Sequence, residues 1–366
     1  NKFVKKSREL NVKEHLKCLT AIGTLLFSAV PVCAHNSEYG HHQKNLPLKI
    51  QKQGSFAFGG VVIRNATGDT FHGDHGYARY QIPSNARKYP LVMWHGGGQF
   101  SKTWESTPDG REGYQNIFLR RGFSTYLIDQ PRRGGAGKTT LGRTIPDAAP
   151  NEASSFTIFR LGTWFPPQNP QYFPGVQFSK KSEPLEQFMR QITVDTGPDT
   201  LLEVGPSAVA KLFDKTGPSV LLTHSMSGLP GWITATKNSN VKAIVSYEPV
   251  RFVFPDSVPA TKGFFPSVAI PRSDFMKLTK IPIQIVFGDN LDKCCDGTSL
   301  GQGYWANAMY DAQLMVDAIN ALGGKAEVLH LPKVGIKGNT HFPFSDLNSA
   351  EVADNLSGWL KRKRLD

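Results

Sequence analysis

The sequence predicts an α/β protein: a mostly parallel central sheet flanked by helices, with a cap segment inserted into it. Three observations predict it. Short apolar runs alternate with helical patterns along most of the chain. One of those runs, Ser219–Thr223, passes straight into His224-Ser225-Met226-Ser227-Gly228. The regular pattern breaks off between Gln130 and Pro198 and then resumes. By length alone, 366 residues fit about two domains. The pattern on either side of the break reads instead as one sheet. With 39% hydrophobic and 20% charged residues the chain is too apolar for general disorder, and it has no repeated long apolar runs of a polytopic membrane protein.

The net charge of +12 suggests nucleic acid until its location is checked. Lys2, Lys5, Lys6, Arg8, Lys13 and Lys17 precede an uncharged run from Cys18 to Ala34 that ends Val32-Cys33-Ala34. A cationic stretch, a short apolar stretch and a small-x-small end predict a secretory signal peptide over residues 1–34, cut before His35. The competing reading, a membrane anchor, needs a longer apolar run. Taking away six basic and two acidic residues leaves +8, with no block of five like charges. The remaining cluster, Lys361-Arg362-Lys363-Arg364, closes a predicted helix and suits its dipole. The expectation is therefore a secreted or periplasmic protein with no nucleic-acid partner and no stable membrane insertion once the leader is cut.

Along the chain, Ser55–Asn65 and Gly76–Ile82 alternate as antiparallel strands do. Pro90–Trp94 is a short buried strand ending in His95-Gly96-Gly97-Gly98; a helix over Gly113–Arg121 and a strand over Phe123–Asp129 follow. The irregular stretch, roughly 131–198, is rich in proline and aromatics and predicts a cap in which Trp164, Phe165, Tyr172 and Phe173 contact substrate or core. Beyond it come helix Thr200–Phe213, strand Ser219–Thr223, helix Gly228–Thr236, and strands Val241–Tyr247 and Ile281–Phe287. Helix Trp305–Leu322, strand Ala326–Leu331 and helix Glu351–Lys361 complete the order.

A buried strand that runs into a serine with small neighbours and then a helix describes a nucleophile elbow around Ser225. Thr223 and Ser227 stand where glycine is usual, so the pattern departs from Gly-x-Ser-x-Gly at both ends. Ser227 is the poorer nucleophile, because bulky Leu229 follows it by two. A serine hydroxyl needs a base, and in this topology the base follows the last strand. His341, in a glycine-containing loop, fits better than His330 inside the strand, and His224 is expected to leave the strand away from the site. For the acid, Asp289 and Asp292 after one strand compete with Glu248 at the tip of another, and periodicity does not decide. Met226, next to the serine, and the glycine loop His95-Gly96-Gly97-Gly98 are the expected sources of the backbone donors to an oxyanion.

Cys18 and Cys33 would leave with the leader, so only Cys294-Cys295 remain, either as a vicinal disulfide or as two thiols. No second Cys or His pair has zinc spacing, and the chemistry calls for no metal or cofactor.

These motifs together resemble the α/β-hydrolases, and within them the secreted bacterial carboxylesterases with a Ser-Glu-His triad. The resemblance is carried by Trp104–Gly110, Phe118–Gly122, Ser124–Gln130, His224–Gly228, Val245–Pro249 and Gly338–His341, in family order. It implies Ser225 as nucleophile, His341 as base, Glu248 as acid, and the N–H groups of Gly97 and Met226 as oxyanion donors. Some relatives carry a vicinal cysteine pair in the oxyanion loop. Here Gly97-Gly98 stand there instead, and the adjacent cysteines lie at 294–295. The implied function is hydrolysis of small-molecule carboxylic esters by a 35–366 hydrolase domain. A lactonase, an amidase or a non-catalytic ligand-binding relative remain alternatives, and self-association is left open.

Overall fold

Eight strands form one sheet in the order β1-β2-β4-β3-β7-β8-β11-β12 in the computed structural model, which describes residues 47–140, 142, 151–198 and 200–366. The predicted leader lies outside the described residues. The sheet begins with a long hairpin, β1 (Ile50–Arg64) and β2 (Thr70–Pro83), both reaching well beyond the predicted strands. The added residues are 50–54 of β1 and 70–75 and 83 of β2, and the hairpin's far end carries exposed Val61, Val62, Ile63 and Phe71.

From β3 (Leu91–Trp94) and β4 (Thr125–Asp129) onward the sheet is parallel, and β2 alone runs against its neighbours. Next to β3 stands β7 (Ser219–His224), then β8 (Val241–Tyr247), β11 (Pro282–Phe287) and β12 (Lys325–His330). All six β7 residues are buried, as a strand covered on both faces requires. Successive side chains alternate between two cores. Val92, Trp94, Leu221 and Ile285 enter one with helices Val204–Thr216, Gly228–Lys237 and Tyr304–Ala321. Leu91, Met93, Leu222 and Val245 enter the other with Tyr114–Arg120 and Ser349–Arg362.

The inserted segment is more regular than its composition suggested. It contains a helix Glu152–Ile158, a two-stranded piece, β5 (Gly162–Thr163) with β6 (Gln171–Tyr172), and a helix Ser182–Arg190. The structure also adds a parallel pair, β9 (Val253–Pro255) with β10 (Val268–Ile270), and a helix Arg272–Leu278 that the sequence reading passed over. These are three to seven residues long, too short for a periodic signal. Among the described residues no helix is long and apolar enough to cross a membrane.

Candidate active site

The C-terminal ends of β3, β7, β8 and β11 converge on one place, where an open parallel sheet presents its functional side chains. Ser225 follows β7 directly and holds φ at +54°, a left-handed conformation uncommon for a residue with a side chain. Two contacts accommodate the unusual neighbours. Thr223 has space because a helical glycine faces it: a Cβ on Gly231 would lie 2.7 Å from Thr223 Cγ2. Ser227 Oγ accepts the His224 N–H at 2.9 Å and reaches the Trp94 carbonyl at 3.2 Å, tying the turn to β3.

The glycine loop after β3 closes over the serine. A Cβ on Gly96 would stand 2.6 Å from His224 Nδ1 and 3.0 Å from Ser225 Cβ, and one on Gly97 2.9 Å from Met226 Cγ. The Gln130 N–H donates to His95 Nε2 at 3.3 Å, so His95 carries its proton on Nδ1 and donates to the Gly96 carbonyl at 2.9 Å. Arg133 adds a longer bond to the same oxygen (3.4 Å) and one to the Gln99 carbonyl (2.9 Å). With that carbonyl held on one side, the Gly97 N–H of the same trans peptide faces the other.

Opposite lie Glu248 and His341, both buried. Glu248 follows β8 with φ at +53°. Its Oε2 lies 3.1 Å from His341 Nδ1, which places the proton on Nδ1 and leaves Nε2 as the basic lone pair. Its Oε1 accepts the Gly288 N–H at 2.5 Å and Arg160 Nη2 at 2.5 Å. Burial alone would raise the Glu248 carboxyl, but the Arg160 charge and the His341 bond hold it down to about 2. Burial pulls the His341 imidazole down to about 4, with the Glu248 hydrogen bond working against it.

The loop that carries His341 is fixed at each step. Asp346 accepts the Thr340 N–H (2.7 Å), the Thr340 hydroxyl (2.8 Å) and an Asn339 amide N–H (3.1 Å), and burial raises its carboxyl to about 7. The His341 N–H donates to the Phe159 carbonyl at 3.0 Å. The His341 carbonyl accepts from His224 Nε2 at 2.9 Å.

No family model matches the chain. A bacterial esterase of known structure is 32% identical to it, with a TM-score of 0.71, over 86% of this chain and 97% of that one. The chain belongs to the α/β-hydrolase family. A probable secreted lipase of a fungal species is 26% identical over 314 residues, 78% of this chain and 86% of that protein.

In this α/β-hydrolase the candidate acids separate cleanly. Glu248 meets His341, whereas Asp289 is occupied with the Asn290 N–H (2.7 Å) and the Gly338 N–H (2.8 Å), and Asp292 is exposed. His224 corrects the expectation that it points away: its ring lies 4.4 Å from that of His341. Three of the four cap aromatics contact core, one of the two contacts expected of them. Trp164 and Tyr172 pack on Phe156 at 5.9 and 5.0 Å, Phe165 is 48% exposed beside Gly297, and Phe173 sits on the same cluster as Trp164 and Tyr172. Phe159 and Trp305 flank His341, at 5.3 and 4.2 Å between ring centres.

Cys294 and Cys295 form a buried disulfide. Cys294 Sγ packs 3.2 Å from the Thr157 carbonyl, at the end of the cap helix that leads to Phe159. Sequence reasoning missed Phe159, Arg160 and Arg133. Arg160 left one signal, a lone charge inside the run Phe156-Thr-Ile-Phe-Arg160-Leu161. Among the described residues no cluster of three or more His, Cys, Asp or Glu could hold a metal ion.

Proposed function

We propose that this α/β-hydrolase is an exported serine esterase that cleaves small-molecule carboxylic esters through an acyl-enzyme. The observation that carries the reading is the pairing of buried Glu248 with His341 Nδ1, beside a serine held in a left-handed turn at the end of β7. His341 Nε2 takes the proton of Ser225 Oγ as the oxygen attacks the ester carbonyl carbon. The Gly97 and Met226 N–H groups receive the oxyanion. Collapse of the tetrahedral intermediate breaks the C–O bond, and the leaving alcohol takes its proton from His341. A water deprotonated by His341 then attacks the acyl carbon, releases the acid and restores the serine.

Glu248 keeps the imidazole in the required tautomer and stabilises the imidazolium that forms. The esterase and lipase relatives support the ester as substrate class. The leader motif at residues 1–34 supports export, with the segment 131–198 as cap over a 35–366 domain. Replacing Ser225 by Ala tests the site on a short-chain 4-nitrophenyl ester. A kcat loss of about a thousandfold or more is expected, and unchanged turnover would overturn the reading. Amino-terminal sequencing of the exported protein tests the leader, and a start at His35 is expected.

A further inference from the structure

We propose that Arg160, brought to the site by the inserted segment, is a positioning residue that fixes which Glu248 oxygen faces His341. The proposal rests on the reading of Ser225, Glu248 and His341 as the catalytic triad.

A glutamate reaches its partner through one more rotatable bond than an aspartate, so its carboxylate swings more freely unless it is anchored. Here Oε1 accepts two strong donors, Arg160 Nη2 at 2.5 Å and the Gly288 N–H at 2.5 Å. That leaves Oε2 to meet His341 Nδ1 at 3.1 Å. The arginine is itself immobilised. Its backbone sits in the left-handed region at φ +62°, Nε donates to the Asp289 carbonyl at 2.8 Å, and its guanidinium lies 4.9 Å from the Trp305 ring centre. The side chain is fully buried. A planar fork serving Glu248 and the Asp289 carbonyl together is a task for arginine, and a point-charge ammonium does not reproduce it.

A burial this complete for a cation inside an otherwise apolar segment needs a reason, and the buried carboxylate supplies one. The neighbouring residues point the same way. Ile158 accepts the Trp305 indole N–H at 2.7 Å, and Phe159 accepts the His341 N–H at 3.0 Å. Three consecutive residues of the segment thus touch the acid, the base and the indole that packs on both Arg160 and His341.

Several ionisable groups face this pair: His224 after β7, Tyr304 at the start of its helix, Asp346 in the histidine loop, and His330 with Asp289 behind Glu248. Among the groups acting on His341, the Arg160 cation opposes its protonation, while Glu248 favours it. Removing that cation lets both His341 and Glu248 take up protons at higher pH. A mere tie between the segment and the sheet would leave the pH profile where it is.

The test compares full-length Arg160→Gln and Arg160→Lys with the parent on a 4-nitrophenyl ester, with circular dichroism as the check on folding. Arg160→Gln is expected to lose about tenfold or more in kcat with KM changed less than about threefold, and its acid limb of kcat/KM should rise by about one pH unit. Arg160→Lys is expected to keep the acid limb in place while kcat falls several-fold, because the charge survives and the fork does not. A folded Arg160→Gln with parental kcat and an unmoved acid limb overturns the proposal. If Arg160→Gln does not fold, Arg160→Lys decides: parental kcat overturns the proposal, and a several-fold loss confined to kcat, with KM changed less than about threefold, supports it. Full activity in Ser225→Ala would overturn the triad itself. An inactive Ser225→Ala beside a parental Arg160→Gln overturns the role of Arg160 alone.

Discussion

The ring of Phe159 lies parallel to the imidazole of His341, 5.3 Å from it and inclined by 11°. The same residue accepts the His341 backbone N–H. One residue of the inserted segment therefore sets both the ring plane and the main chain of the histidine. With Trp305 at 4.2 Å and Glu248 on Nδ1, the imidazole is bounded on several sides, and Nε2 is the ring nitrogen left for proton transfer. Preorganisation of this kind costs nothing at the moment of reaction.

The acid is the most discriminating position to change. Glu248→Gln is expected to cut kcat about a thousandfold or more by unsettling the histidine tautomer. It also strands the Arg160 guanidinium without its counter-charge, a loss of about 3–5 kcal/mol. Asp289→Asn and Asp292→Asn should each stay within about tenfold of the parent. Steady-state kinetics and urea melts of the three variants check this, and a large loss confined to Asp292→Asn would contradict the geometry.

Acid should weaken the protein through the same residues that tune its chemistry. The folded His341 titrates near 4, below its usual 6.5, so between those values the unfolded chain binds the proton first and stability falls as pH drops. Burial lowers His95 to about 4 and puts His224 well below its usual range, both adding in the same direction. Glu248, held near 2 against 4.5, extends the loss below pH 4.5. Asp346, raised to about 7 from 3.8, takes up its proton first in the folded state and works the other way. Three histidines outweigh one carboxyl, so urea midpoints at pH 7.5, 5.5 and 4 should decrease in that order. The acid limb of kcat/KM should lie below pH 6 wherever circular dichroism shows the fold intact.

The two loop glycines should differ. An alanine methyl at position 96 meets the His224 ring at 2.6 Å and Ser225 at 3.0 Å, and neither can yield without moving Ser225. At position 97 it meets a Met226 side-chain carbon at 2.9 Å, part of a flexible chain. Gly96→Ala is expected to lose about a hundredfold or more in kcat/KM and Gly97→Ala distinctly less. Equal losses would mean that crowding at the serine is not what matters.

The vicinal disulfide should resist reductant while the fold persists. Cys294 and Cys295 are 0% and 1% exposed, which denies a thiolate the access that exchange needs. A chain expressed from His35 should show no free thiol by Ellman titration, and still none after brief treatment with dithiothreitol. Two should appear once urea is added with the reductant. Thiols titrating in the folded, untreated protein would contradict the bonded state.

The central sheet was legible because its strands are buried on both faces and bounded by turns, as at Leu91–Trp94 and Ser219–His224. Ser225 and His341 could be singled out because the elbow leaves a local pattern and the topology restricts where the histidine falls. Glu248 could not be separated from Asp289 or Asp292 by pattern, since each follows a strand; only the family resemblance chose it. The inserted segment resisted reading for a different reason. Arg160 and Phe159 are positioned by residues far along the chain, such as Asp289, Trp305 and His341, and such contacts leave no periodicity in the segment itself. Aromatic density drew attention to Trp164, Phe165, Tyr172 and Phe173, but density carries no direction.

The bond from His341 to the Phe159 carbonyl has a consequence for the order of assembly. It joins early and late parts of the polypeptide, and closing so long a loop comes at the slow end of folding. A growing chain that stops short of His341 has a strand-end serine and a carboxylate but nothing to move a proton between solvent and substrate. On the proposed reading, the site is incomplete until β12 and the loop that carries His341 meet a segment made long before.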